Sequence, residues 1–101
     1  MNYIIFDLEF NQQHPDIKSD QKPELMFEII QIGALKLDNN LNTVSTFNSF
    51  VKPTVHKMLH PYVEDLTNIT YEQINTSKVF TDVYEDFINF IDDSESTLVL
   101  W

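Results

Sequence analysis

Apolar and polar residues alternate, or form short apolar runs, over four segments of this 101-residue chain. Runs of this length that are rich in β-branched and aromatic residues are typical of β-strands. The strands predicted in this way are Asn2 to Asn11, Glu28 to Asp38, Asn42 to Val51 and Thr97 to Trp101. Gln12 to Glu24 has two Pro and no periodicity, which predicts an exposed loop. We expect the first three strands to form an antiparallel meander, because short connections usually join neighbours.

Helical patterns lie between the third and fourth strands. Pro61 to Leu66 can form a short helix, since proline at the first helical position loses no hydrogen bond. Thr70 and Gln73 have the capping-box spacing, in which each side chain binds the other residue's backbone N–H. The longest helix is predicted from Ser77 to about Asp92, where apolar residues recur every three or four positions. A strand that follows a covering helix is usually parallel, and we expect this of the fourth strand.

Composition and charge narrow the class of protein. The chain is 43% hydrophobic and has no Cys, which excludes disulfides and Cys-based zinc sites. It has no signal-peptide pattern and no membrane-length apolar run, so a cytoplasmic protein without a membrane partner is expected. The net charge of −10 argues against general coating of nucleic acid. It does not exclude a nuclease, because carboxylate-bound divalent cations can neutralise the phosphate under attack.

The acidic residues of the first strand are the main candidates for chemistry. Asp7 and Glu9 are two positions apart, so on a strand both side chains leave the same face. A carboxylate pair of this kind can be a solvated strand end, and this is the usual interpretation of an isolated Asp-x-Glu. It can also hold Mg²⁺ or Mn²⁺, since hard cations prefer oxygen ligands.

Sequence context decides between these interpretations. Four segments carry it, in the order Ile4 to Phe10, Glu28 to Leu37, Phe50 to Pro53 and Leu66 to Thr70. In this order they resemble the DnaQ-like (DEDD) 3′-to-5′ exonucleases, and the first of them resembles that family's first exonuclease motif. Leu98 to Trp101 also resembles the strand that leads into the second motif. Phe10 and Asn11 after the acidic pair are most similar to the branch that contains RNA-trimming nucleases.

The resemblance implies an α/β, ribonuclease H-like fold and a single-stranded RNA or DNA 3′ end as substrate. It implies that Asp7 and Glu9 are catalytic residues that hold two Mg²⁺ or Mn²⁺ ions, and that nucleoside 5′-monophosphates are released. The positions that it assigns to substrate contacts are Leu8, Phe10, Asn68 and Ile69. The chain departs from the family where Gln31 replaces a common Glu and Asn68 a frequent Gly.

The resemblance also predicts that residues 1–101 are the amino-terminal part of a single exonuclease domain. The second-motif Asp and the third-motif His and Asp are expected beyond Trp101, so we expect this chain alone to be inactive. We also expect a homodimer that forms through the exposed edge of the last strand or through the uncovered sheet face. A non-catalytic module that binds nucleic acid or assembles on a ribonuclease H-like sheet is the alternative.

The remaining candidates have plainer interpretations. His60 and Asp65 reproduce the spacing of the third motif but come too early in the chain, and His14, His56 and His60 are interpreted as solvated surface residues. The aromatic residues of the long helix, Phe80, Tyr84 and Phe87, are assigned to the core. Gly33 is interpreted as a site of close packing between a helix and the second strand.

Overall fold

The computed structural model describes residues 1–18, 25–92 and 95–101. Within these ranges the elements are β1 (Tyr3–Gln12), β2 (Phe27–Leu37), β3 (Thr43–Phe50), α1 (Pro61–Thr67), α2 (Tyr71–Asn75), α3 (Phe80–Ile91) and β4 (Thr97–Leu100). All seven predicted elements are present, and the α/β class is confirmed. Residues 19–24 of the predicted loop lie outside the described residues. No helix in the described ranges is long and apolar enough to cross a membrane.

The four strands form one sheet in the order β3-β2-β1-β4. β1, β2 and β3 are the predicted antiparallel meander. β4 is parallel to β1, with the Thr97 N–H donating to the Asn2 carbonyl at 2.9 Å and the Trp101 N–H to the Phe6 carbonyl at 2.8 Å. The apolar composition of β1 therefore reflects its central place between β2 and β4.

Helix α3 covers one face of the sheet. Its buried residues are Val83 and Phe87, and the Phe87 ring lies 5.5 Å from that of Phe47 and 6.0 Å from that of Phe6. The expectation that Phe80 and Tyr84 are core residues is wrong, because their side chains are exposed and contact each other. The apolar stripe is thus buried only where it faces β1 and β3.

The first residue of α3 is Phe80, three positions later than predicted. The Lys52 N–H donates to the Lys78 carbonyl at 2.8 Å, and Lys52 also forms a parallel bridge with Val79. This pairing holds the chain extended just before the helix, since Val79 itself has β-region dihedrals.

A β-bulge divides the apolar residues of β2 between two cores. Glu9 pairs with Gln31 and Phe10 with Ile29, which leaves Ile30 as the extra residue. Ile29 packs against the core under α3, whereas Ile30 is fully buried in a second core with residues of α1, α2 and their flanks. The bulge therefore lets one strand hold both α3 and the α1–α2 pair.

Helices α1 and α2 have well-defined ends. The His60 side chain caps α1 by accepting the Tyr62 N–H at 3.0 Å, and Asn68 ends the helix with a left-handed φ of 60°. Asn tolerates this conformation better than other non-Gly residues, which explains how it can replace Gly here. Both bonds of the predicted Thr70–Gln73 capping box are present, at 3.3 Å and 2.9 Å.

Candidate functional site

Asp7 and Glu9 lie on the sheet face opposite α3. Both line an open cavity of about 540 Å³ whose floor is formed by β1, β2 and β3. Their register partners are Gly33 and Gln31 on β2. The structure therefore brings the two carboxylates together on one face, as the spacing predicts.

The electrostatics of this pair favour a cation. Partial burial raises the pKa of Glu9 above its ordinary value of 4.5, and the negative charge of Asp7 raises it further. Asp7 is exposed and accepts the Leu8 N–H at 3.0 Å. Two oxygen-donor side chains that repel each other fit a hard divalent cation, because the cation relieves both the repulsion and the loss of hydration. Among the described residues, no group of three or more His, Cys, Asp or Glu side chains could hold a metal ion.

The raised pKa of Glu9 predicts a pH-dependent stability. The folded protein holds the proton of the Glu9 carboxyl group more tightly than the unfolded protein does. The free energy of unfolding therefore falls as the pH rises from 4.5 through the raised pKa of Glu9. In metal-free solution at pH 7, Glu9→Gln should therefore melt at a higher temperature than the wild type. The difference should shrink as the pH is lowered towards 4.5. Melting curves over this pH range test it, and a difference independent of pH would contradict it.

The floor of the first cavity is polar beside the carboxylates. Gln31 donates from Nε2 to Oδ1 of Asn48 at 2.9 Å, and both side chains line the cavity. Gly33 is the register partner of Asn48, and a Cβ at Gly33 would have no atom within 4 Å. The interpretation of Gly33 as a helix-packing site is therefore wrong, because Gly33 faces the open cavity.

A second cavity of about 330 Å³ lies on the other side of Glu9. Phe10 and Tyr62, both exposed, are among the residues that line it, together with Leu66 and Thr67 at the end of α1. It is therefore bounded by the last residues of the β1 acidic motif on one side and by α1 on the other.

The four residues expected to contact substrate occupy different places. Phe10 lines the second cavity and is exposed, and Asn68 is exposed at the end of α1. Leu8 packs against the core under α3, away from the carboxylates, and Ile69 is buried in the second core. A side-chain contact with substrate is disfavoured for Leu8 and Ile69 by this packing. The roles of all four stay predictions.

The expectation of three solvated His side chains is wrong in one case. His56 is only 4% exposed, and its Nε2 lies 2.6 Å from the Leu25 carbonyl oxygen. His60 is the α1 cap, and His14 is half-buried, with its ring 6.4 Å from that of His60. None of the three lines either cavity beside Glu9.

Two buried polar residues were not identified from the sequence. Asn11 is fully buried and Glu28 almost so, and they face each other in the β1–β2 register. Asn11 continues the alternation of Asp7 and Glu9, and this polar series on one strand was the available signal. Nothing in the local pattern around Glu28 distinguishes it from an exposed strand end.

Comparison with known proteins identifies the family. The family model described as Exonuclease (RNase_T) matches residues 4–97. This chain belongs to that exonuclease family. A curated relative, the DNA polymerase III subunit epsilon of Buchnera aphidicola subsp. Schizaphis graminum (strain Sg), is 30% identical over 73 residues. The match covers 72% of this chain and 30% of the relative.

Solved structures agree on the fold. A full-length 3′-exonuclease superposes with a TM-score of 0.78 at 24% identity, over 98% of this chain and 45% of that one. The nuclease domain of 3′hExo, a DEDDh family member bound to rAMP, gives 0.74 at 22% identity, over 96% and 50%. E. coli Exonuclease I in complex with a dT13 oligonucleotide gives 0.72 at 13% identity, over 99% and 20%. The ribonuclease H-like fold is confirmed, and this exonuclease-family chain spans half or less of each protein.

Proposed function

We propose that this chain supplies the first two acidic ligands of a divalent-metal-dependent 3′-to-5′ exonuclease. Its substrate is the 3′ end of single-stranded RNA or DNA, and its product is a nucleoside 5′-monophosphate. The observation that carries the proposal is the placement of Asp7 and Glu9 on one sheet face, where both line the first cavity and Glu9 also lines the second. Family membership supports the same reaction class.

Asp7 and Glu9 are the residues that would hold Mg²⁺ or Mn²⁺. Bound there, the metal supplies positive charge next to the scissile phosphate and lowers the pKa of a coordinated water. In the hydrolysis, a water oxygen forms a bond to the terminal phosphorus as the bond to the neighbouring O3′ breaks. The O3′ leaves with a proton, and the phosphate stays on the released nucleotide. Asp7 and Glu9 orient the reacting phosphate by fixing the position of positive charge.

The second cavity is suited to the terminal nucleobase. It lies directly beside Glu9, and the exposed aromatic residue Tyr62 lines its α1 side. Aromatic side chains stack on bases of any sequence. We infer that the terminal base enters this cavity while its 5′ phosphate lies at Asp7 and Glu9.

A Mn²⁺-dependent binding assay tests the proposal. A labelled single-stranded oligonucleotide with a free 3′-hydroxyl should bind the wild type only with the metal present, and Glu9→Gln should weaken this binding. A 3′-phosphorylated oligonucleotide of the same sequence is the control and should bind less well. Binding that is indifferent to Mn²⁺ and to Glu9 would favour the alternative of a non-catalytic nucleic-acid-binding or assembly module. That alternative is supported by a carboxylate site that has two acidic members among the described residues.

We expect this chain by itself to bind without cutting. No His or Lys lines the first cavity, so the described residues place no general base beside Asp7 and Glu9. Loss of one member of a catalytic unit costs nearly as much as loss of the whole. The wild-type chain should therefore release mononucleotides from a 3′-labelled oligonucleotide no faster than Glu9→Gln does. Mn²⁺-dependent trimming that Glu9→Gln abolishes would contradict this expectation while supporting the exonuclease assignment.

A further inference from the structure

Asn11 lies at the end of β1, two residues beyond Glu9, and all its side-chain hydrogen bonds go to one loop. Its Nδ2 donates to the carbonyl oxygens of His56 at 2.9 Å and Met58 at 3.0 Å. Its Oδ1 accepts the His60 N–H at 2.9 Å. The side chain is fully buried, so these bonds have no competition from solvent.

Glu28 holds the preceding part of the same loop. Its carboxylate accepts the backbone N–H groups of Thr54 at 2.8 Å, Val55 at 3.1 Å and His56 at 2.7 Å. Asn11 and Glu28 are register partners on β1 and β2. Two neighbouring side chains therefore bind most of the backbone of residues 54–60. We call these residues the clamped loop.

The clamped loop ends where α1 begins. His60 is the residue whose N–H binds Asn11, and its side chain is also the cap of α1. Two and six residues later, Tyr62 and Leu66 form the wall of the second cavity that faces Glu9 and Phe10. The Asn11 amide thus connects the strand that carries the carboxylates to the helix that bounds the cavity.

We propose that Asn11 is a positioning residue that sets the distance between α1 and Glu9, and so the fit of a nucleobase in the second cavity. The inference rests on the proposed function, because it assigns a terminal nucleotide to that cavity. An amide is required at this position, since two of the three bonds need N–H donors. A carboxylate of the same shape keeps only the bond from His60 and leaves the carbonyl groups of His56 and Met58 without this donor.

Asn11→Asp is therefore the decisive variant, and Asn89→Asp is its control. Asn89 lies exposed on α3, so its replacement makes the same change in charge without touching the clamped loop. Titration of AMP with Mg²⁺, followed by NMR, should show Asn11→Asp binding about tenfold more weakly, an effect of the size expected from a small misplacement of a binding wall. Asn89→Asp should bind like the wild type. Melting curves should confirm that both variants are folded at the titration temperature.

A second measurement separates positioning from stability. Bound Mn²⁺ broadens nearby amide signals, so it reports how far α1 and Gly33 lie from Asp7 and Glu9. In Asn11→Asp we expect the broadening to persist at Gly33 and to change at Tyr62 to Thr67. If Asn11→Asp does not fold, Glu28→Gln replaces it, because it weakens the bonds to the same loop while keeping the side-chain shape.

The outcomes distinguish the two proposals. Wild-type protein that binds Mn²⁺ but not AMP would overturn the nucleotide cavity and both proposals together. Wild-type protein that binds AMP, with folded Asn11→Asp binding it equally well and showing unchanged broadening along α1, would overturn only the positioning role of Asn11.

Discussion

Mn²⁺ added to the wild-type chain should bind at one weak site, and Asp7→Asn should remove that binding. Asp7 and Glu9 supply two carboxylates, and cation sites with few charged protein ligands have dissociation constants on the order of 0.1–1 mM. Loss of a supporting side chain outside the ligand shell already weakens metal sites about 10–100-fold, so loss of a ligand should cost at least as much. Calorimetry, or the relaxation of water protons by Mn²⁺, measures the change.

Asp82→Asn is the matched control for this experiment. Asp82 is exposed in the first turn of α3, so its replacement removes one negative charge from the opposite side of the sheet to Glu9. It should leave Mn²⁺ binding within about twofold of the wild type, since water and salt weaken interactions between solvent-exposed charges. Binding that survives Asp7→Asn, or that falls equally in both variants, would mean that the acidic surface and not the carboxylate pair holds the cation.

The predictions that succeeded rest on short-range patterns. Alternation over two residues placed Asp7 and Glu9 on one face, and the capping-box spacing placed the first turn of α2 at Thr70. Both follow from backbone geometry within a few residues. The strand order of the meander follows from short connections, and the parallel β4 from the helix that precedes it.

The residues that the sequence analysis missed, and the misplaced start of α3, depend on contacts between distant segments. Asn11 binds residues 45 to 49 positions away, so its burial could not be inferred from its neighbours in sequence. Glu28 looks like a polar strand end until the N–H groups of the clamped loop are placed against it. The same holds for α3, whose first turn is displaced because Lys52 pairs with Lys78 and Val79. Such pairings depend on tertiary contacts that periodicity does not report.

Gly33 shows a different limit of prediction from sequence. Its register partner Asp7 faces the first cavity, so an open cavity and not a helix lies above this glycine. A glycine in a strand is equally compatible with close packing and with open space. The sequence pattern could therefore identify Gly33 as unusual without indicating the reason.

The outer edge of β4 should pair with a second copy of this chain. Thr97 and Trp101 direct their N–H groups to β1. Backbone groups of successive strand residues point to opposite sides, so the N–H and C=O groups of Leu98 and Leu100 point away from the described sheet. Residues 97–101 carry no charged side chain, so two copies can meet there despite a net charge of −10. An antiparallel pair about a two-fold axis is self-complementary, with Leu98 bonded to Leu100 of the second copy and Val99 opposite its own equivalent. Sedimentation should show the 11.9 kDa chain approaching twice its mass as concentration rises.

Single-cysteine variants test this geometry sharply, because the chain has no Cys of its own. Opposite residues in a non-hydrogen-bonded antiparallel pair have Cα atoms about 4.5 Å apart, within the range of a disulfide. Val99→Cys should therefore form a covalent dimer under mild oxidation. Trp101→Cys is the control. Trp101 lies two residues from the two-fold axis, so the Cα atoms of the two Trp101 residues lie about 13 Å apart, too far for a disulfide.

Leu100→Pro should keep the chain monomeric, because it removes only the N–H group that points away from β1. Equal cross-linking of both Cys variants, or a wild type that stays monomeric at all concentrations, would rule out this pairing.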